Sequence, residues 1–367
     1  MRRIIKYFFI TLNVLVVVLF LIGCLLPVIS AARFPSTGFI GIIFPYMVIL
    51  LIFLFLFWLM AKPKLVLIPA IALLIGWKQI RVLFAVHFNN NEFVQNKNKN
   101  NLRIVTWNVR SFNGAFNNKK IIKTVREDIA ESIIKLHADV VCLQEFNTTQ
   151  NKESQANNMA LFAKQYPYYF FSKDYSIQNK QYRSGCIIFS KYPIIDSGKI
   201  KYKLAESLIN IDILKDDDTV RIYTTHLQSF KFKKEDYDEI ANLQNAEETS
   251  IIRSKNVIKK MNLAFKLRGE QANIVKNEIS KSPYPTIICG DFNDVPNSYV
   301  YHHIKQNFQD AFLQKSWGVG KTYNALAPML RIDYILCSNN FTVSQFDMVD
   351  ENLSDHILLV SDLELKK

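Results

Sequence analysis

Asp291, Asn293 and Asp294 fall within four residues at the end of the apolar run Thr286 to Cys289, in the stretch PTIICGDFNDVP between Pro285 and Pro296. A carboxylate and a carboxamide two positions apart point the same way from an extended backbone, which suits a metal-bound water or a phosphate oxygen. Gly290 lets the backbone turn at that point without a Cβ penalty. Taken alone, the cluster reads equally well as an Asx-rich turn leading into a helix near Ser298. The decision rests on whether other stretches deliver partners.

They do, and each sits at the end of a strand-like segment. Leu102 to Trp107 runs into Asn108, Val109 and Arg110, and a helical stretch follows from about Lys119 to Leu136. Asp139 to Leu143 is a second buried strand ending in Gln144 and Glu145, and Gly185 to Phe189 is another. Leu208 to Leu214 and Val220 to Thr225 form a hairpin across the Lys215 to Asp218 turn, and its second strand ends in His226. Arg331 to Cys337 carries Asp333, and Ser354, Asp355 and His356 precede a last strand over Ile357 to Leu363. Singly, each residue has a bland reading: a core histidine, a surface acid, a partner of Arg331, a turn cap. Repetition at strand ends argues for one shared site.

The N-terminal quarter is of another kind. Tyr7 to Ala32 and Phe34 to Ala61 contain no Asp, Glu, Lys or Arg, and each exceeds the roughly 20 apolar residues a helix needs to cross a bilayer. Leu65 to about Ala85 is a third candidate, with Lys78 and Arg81 placed to snorkel to the head groups. The expected spans are thus about 7–28, 38–61 and 65–85, within an anchor over residues 1–88. Arg2, Arg3 and Lys6 before the first run and Ser30, Ala31 and Ala32 at its end also fit a cleaved signal peptide, against which its length argues. Arg2, Arg3, Lys6, Lys62 and Lys64 favour the cytoplasmic side, leaving Arg33 outside, so three crossings export the C-terminal domain to the periplasm or exterior. Lys78, Arg81, Lys97 and Lys99 pull the other way.

Of the 45 Lys and Arg, eight lie in residues 1–91, which hold none of the 32 acids. The net charge of +13 therefore owes much to membrane flanks, and the rest of the chain is only modestly basic. Lys231 to Lys281 is long and mostly helical, with eleven bases against eight acids, and reads as a solvated face rather than a nucleic-acid stripe. Asn89 to Asn101 is an Asn-rich linker. Cys142, Cys186, Cys289 and Cys337 sit in strand-like runs as core thiols, and no zinc-ligand spacing occurs.

WNVR at Trp107, LQE at Leu143, THL at Thr225, GDFN at Gly290, RIDYIL at Arg331 and SDH at Ser354, in this order, resemble the endonuclease/exonuclease/phosphatase superfamily. The resemblance covers roughly Leu102 to Leu365, within a catalytic domain over 102–367. It implies a four-layer α/β sandwich of two packed mixed β-sheets flanked by helices, here preceded by about three transmembrane helices. Residue by residue, it implies Glu145 as the main ligand of a divalent metal, usually Mg²⁺, with Asn108 beside it and Asp355 completing the metal and water environment. Asp291 would orient or deprotonate the attacking water, and Asn293 would hold the phosphate. His356 would contact the scissile phosphate with Asp333 behind it, and His226 would approach from the other side. Oxygen ligands favour Mg²⁺, Mn²⁺ or Ca²⁺ over zinc.

Arg110 stands where AP endonucleases tend to have an acid, closer to the deoxyribonuclease pattern, which makes it a candidate phosphate contact and disfavours abasic-site repair. The expected activity is hydrolysis of a phosphodiester by a membrane-anchored, metal-dependent enzyme of nuclease type. A sphingomyelinase-like or phosphoinositide-type activity on a phospholipid head group is the alternative. A non-catalytic tethered scaffold would be expected to have lost site residues, and all six motifs are intact.

Overall fold

The structure is a computed structural model that describes residues 2–87, 93–113, 122–149, 157–177, 181–204, 206–232, 235–236, 248–324 and 329–366. Two compact units divide it: Met1–Leu83, Gln228–Asn273 and Val295–His303 form one, and Phe84–Leu227, Ile274–Asp294 and Ile304–Lys367 the other. Two segments of the stretch read from sequence as catalytic domain therefore cluster with the N-terminal helices.

In the first unit, helices α1 (Arg2–Cys24) and α2 (Thr37–Ala61) are long and apolar enough to cross a membrane. The region expected as a third span is two helices, α3 (Leu67–Ile75) and α4 (Trp77–Leu83), with a 65° bend at the break. Phe20, Phe44, Leu51, Leu54 and Trp58 pack together inside this bundle, Phe20 and Phe44 stacking at 5.1 Å. Ile49, Ile52, Phe53, Leu56 and Leu59 face outward and are exposed. So much contiguous apolar surface fits lipid rather than water. The connection between α1 and α2 packs on the long helix Glu248–Ile279: Ser36 Oγ donates to Asn262 Oδ1 at 3.0 Å, and Phe39 meets Phe265 edge-on at 5.3 Å.

The second unit holds the sheets. Its strands are β1 (Ala85–Val86), β2 (Asn101–Asn108), β3 (Val140–Thr149), β4 (Tyr168–Phe171), β5 (Tyr175–Ile177), β6 (Tyr182–Ser190), β7 (Ile194–Lys201), β8 (Ser207–Lys215), β9 (Asp218–His226), β10 (Thr286–Asp291), β11 (Gln309–Asp310), β12 (Trp317–Gly318), β13 (Asp333–Cys337), β14 (Phe341–Val349) and β15 (Leu358–Leu365). One mixed sheet has the order β14-β15-β2-β3-β6-β4, with β5 also on β6, and the other β11-β13-β10-β9-β8-β7. The hairpin read from sequence is β8–β9, with Lys215 opposite Asp218.

The sheets pack face to face because alternate positions of each are apolar: Leu102, Ile104, Val140 and Cys142 from one meet Ile209, Ile211, Ile222 and Ile287 from the other. Each fully buried branched side chain contributes roughly 1.5–3 kcal/mol. Helix α5 (Ile122–Lys135) covers the outer face of the first sheet through Val125, Ile129 and Ile133. On the second sheet, Tyr223 Oη donates to the Glu278 carbonyl at 3.4 Å in the last turn of the long helix. Two mixed sheets flanked by helices are what the motifs implied.

Buried Arg103 donates through Nε and Nη2 to Asp362 at 2.7 and 2.9 Å, and through Nη1 to the Gln95 carbonyl at 2.8 Å. The C-terminal part of the Asn-rich linker is therefore tied to the first sheet through β2 and β15, while residues 88–92 lie outside the described residues. All four cysteines of the second unit are free and buried.

Candidate active site

The parallel pair β2–β3 aligns Asn108 with Gln144, the parallel pair β9–β10 aligns His226 with Asp291, and the antiparallel pair β10–β13 aligns Asp291 with Asp333. Strand pairing alone thus brings three of the expected residues, His226, Asp291 and Asp333, onto one rung. Gly290 makes the rung possible. Its φ is +133°, and a Cβ there would meet the Thr225 carbonyl oxygen at 2.2 Å.

Asn108 Nδ2 donates to Glu145 Oε1 at 3.1 Å and to Asp291 Oδ2 at 3.2 Å. The pairing of β3 with β6 shifts register between Leu143 and Phe146, and Glu145 sits in that irregularity at φ +52°. A bulge of this kind re-aims one side chain at the cost of local strain. Asn293, also left-handed at φ +52°, donates its backbone N–H to Asp291 Oδ1 at 2.8 Å. Its Nδ2 donates to the Leu227 carbonyl at 2.9 Å and to Asp291 Oδ2 at 3.2 Å.

Two histidines flank the Asp291 carboxylate: Nε2 of His226 lies 3.4 Å, and Nε2 of His356 3.7 Å, from Oδ2. Each is held at Nδ1 by another acid, His356 by Asp333 at 3.0 Å and His226 by Glu206 at 2.7 Å. Burial opposes the charge on His226, but Glu206, Asp291 and Glu145 together raise its pKa to about 10. His356 is likewise lowered by burial and raised by Asp333 and Asp291, to about 10. Burial and the neighbouring Asp333 push Asp291 up to about 6, against the pull of the two histidines. The site therefore holds two imidazoliums and an ionised Asp291 at neutral pH.

Ser354 Oγ donates to the Asn108 carbonyl at 2.8 Å, pinning the last motif to the end of β2. Arg110 Nε lies 3.4 Å from Asp355 Oδ2. The proposed phosphate contact and the proposed third metal ligand thus face each other.

Every sequence-predicted residue is in the second unit. Among the described residues, Asp291, Asp333 and His356 form a triple that could hold a metal, with one ligand atom from each within 4.8 Å of the others. Asn108, Glu145 and Asp355, the expected ligands, are not that triple. Asp333 already occupies Nδ1 of His356, which suits a charge dyad better than a ligand set. The corner between Glu145 and Asp291 offers two hard carboxylate donors to a cation: both converge on Asn108 Nδ2, while Asn108 Oδ1 accepts from the Arg110 N–H at 3.0 Å.

Five further residues shape the site in ways that the sequence did not show. Glu206 stands outside every motif, at φ +66°, ahead of β8. Trp107 is buried and donates from Nε1 to the His356 carbonyl at 2.8 Å, so the Trp of WNVR fixes the distant histidine. Thr322 Oγ1 accepts from the Asp333 N–H at 3.1 Å, and the Tyr323 ring lies 4.8 Å from that of His356. Arg331 pairs with Asp310 at 2.6 Å rather than with Asp333, which leaves Asp333 to its histidine.

A model of the endonuclease/exonuclease/phosphatase family matches residues 105–356, spanning all six motifs, and the chain belongs to that family. Its members are hydrolases of phosphate esters that generally use divalent metal ions. Residues 6–83 match a domain of unknown function. No curated protein matches the chain. Among solved structures, an endonuclease/exonuclease/phosphatase from Beutenbergia cavernae is 20% identical with a TM-score of 0.52, over 72% of either chain. The human Nocturnin catalytic domain with bound sulfate is 19% identical over 72% of this chain and 94% of its own, with a TM-score of 0.48. Humanized D. rerio TDP2 is 17% identical over 72% and 99%, also at 0.48.

Proposed function

We propose that the chain is a membrane-anchored, divalent-metal-dependent phosphodiesterase of nuclease type. The observation that carries this reading is the convergence of two acid-backed histidines on one buried carboxylate, beside a second carboxylate. A phosphodiester is anionic and repels hydroxide, so hydrolysis needs positive charge around the phosphoryl oxygens. His226 and His356 supply it as hydrogen-bond donors through Nε2, each held protonated by its acid. Asp291 Oδ2 sits between them as acceptor of the proton that water loses on attacking phosphorus. Asn293 orients that carboxylate through two hydrogen bonds.

Glu145 with Asn108 would hold the metal, Mg²⁺ by the hardness of the donors, with Asp355 completing its surroundings and Mn²⁺ or Ca²⁺ as substitutes. When bound, the metal neutralises phosphate charge and lowers the pKa of water. Arg110, released from Asp355 by an incoming phosphate, would bind an oxygen of it.

The catalytic domain is proposed to face the periplasm or exterior. The connection between α1 and α2, with Arg33, lies at the far end of the first span from the N-terminus. With the N-terminal basic cluster cytoplasmic, that end is outside, and the bent α3–α4 pair then completes a third crossing. Assays of the purified full chain with Mg²⁺ and with chelator, on plasmid DNA, RNA, sphingomyelin and inositol phosphates, test the reading. Metal-dependent cleavage of nucleic acid supports it; cleavage of sphingomyelin alone overturns the nuclease assignment, and no cleavage of any overturns the activity.

A further inference from the structure

The charged segment Lys231 to Lys281 reads from sequence as a solvated face, but the long helix sorts its charges. Between residues 255 and 273 it carries Lys255, Lys259, Lys260, Lys266 and Arg268 against the single acid Glu270. Two of these bases are occupied. Lys260 bonds both carboxylate oxygens of Asp236 at 2.7 and 2.6 Å, and Arg268 is buried, with its guanidinium over Phe230 and Phe265. Lys255, Lys259 and Lys266 are exposed and have no ion-pair partner among the described residues.

At 100° per residue these three fall within about 40° of one another on the helix circumference. Their stripe adjoins the line of residues that meets the connection between α1 and α2. On that line Asn262 accepts from Ser36, and the Phe265 ring packs against the backbone of Gly38. Gly269 approaches so closely that a Cβ would stand 2.4 Å from the Ala32 nitrogen. One turn towards the helix start the same line continues into Ile258, which is 48% exposed although apolar. The α1–α2 connection is the point where two apolar helices leave the bilayer. With α1 and α2 in a bilayer, a helix packed along their connection would lie near the head groups, with Ile258 and the three lysines on adjoining lines of its surface. Arg33, in the same connection, adds a fourth exposed cation.

We propose that Lys255, Lys259 and Lys266, with Ile258, form an anionic-phospholipid contact by which this helix lies on the membrane that holds the anchor. The occupant follows from continuity with the spans and from charge: a basic amphipathic face beside a bilayer attracts anionic head groups, each lysine adding to the attraction within a Debye length. This rests on the membrane anchoring proposed above and is independent of the catalytic reading.

The test uses the full chain in nanodiscs, with a nitroxide on Ile258→Cys in a Cys24→Ser background, the other cysteines being buried. Exposure of the label to a water-soluble relaxation reagent is compared between discs of phosphatidylcholine alone and discs containing phosphatidylglycerol. Exposure should fall severalfold in the anionic discs. It should return to the zwitterionic level in K255Q/K259Q/K266Q and at high salt. A label equally aqueous in both discs, or a response that survives the triple substitution, overturns the proposal. So does loss of oligonucleotide binding in the triple variant with the label unmoved, which would assign the stripe to nucleic acid. Flotation of the same discs separates failure of the proposal from failure of the anchor itself.

Discussion

Glu206 Oε2 stands 2.7 Å from Nδ1 of His226, an acid supplied from outside every motif to a histidine at the end of β9. It mirrors the contact of Asp333 with His356, and together the pairs make the site nearly symmetric about Asp291. Glu206→Gln removes the nearest charge holding His226 protonated. The alkaline limb of kcat/KM should then move down by roughly one to three pH units, with little change at pH 6. A merely structural role would lower the rate at all pH values without moving the limb. Because the pKa of His226 is raised on folding, the pair stabilises the protein fully below the ordinary histidine range and ceases to do so as pH rises through about 10. Glu206→Gln should therefore cost more stability at pH 5 than at pH 8, measurable by denaturant titration.

The whole site should give a bell-shaped pH profile. Activity rises as Asp291 ionises through about 6 and falls as the imidazoliums lose their protons near 10. These limbs belong to the coupled group rather than to single residues. A cation beside Asp291 favours its ionised form, so the acid limb should shift down as Mg²⁺ is raised. Initial rates across pH at two metal concentrations check this.

Gly290→Ala should be severely destabilising. An alanine at φ +133° is strained in itself, and its Cβ has no room beside the Thr225 carbonyl. The expected loss is roughly 2 to 4 kcal/mol, read from the urea midpoint.

Arg103→Leu should destabilise about as much through a different cause. Asp362, fully buried, would lose the guanidinium that neutralises it, and breaking such a pair costs roughly 3–5 kcal/mol. Arg103→Leu combined with Asp362→Leu should recover part of that loss in the same melt, because no charge is left buried.

Much of the site was legible because strand ends carry its residues. In β9, β10 and β13 the apolar run and the polar terminus are contiguous in sequence, so His226, Asp291 and Asp333 announce themselves. Glu206 did not, because its role depends on where a left-handed residue aims a side chain across space. The membrane helices were plain from the absence of charge, whereas the break between α3 and α4 was not, since Ile75-Gly76-Trp77 is apolar throughout. The lysine stripe was hidden for another reason: counting charges over Lys231 to Lys281 averages two faces of one helix.

The central claim is that Asp291 and Glu145 serve one phosphate-ester reaction. The measurement is turnover of bis(p-nitrophenyl) phosphate against Mg²⁺ concentration for the full chain, Asp291→Asn and Glu145→Gln, with folding checked by circular dichroism. Asp291→Asn should lower kcat by about 10² to 10⁴-fold even at saturating Mg²⁺. Glu145→Gln should raise the Mg²⁺ concentration needed for half-maximal rate. Turnover by both folded variants at the rate and metal dependence of the unaltered chain would contradict the account.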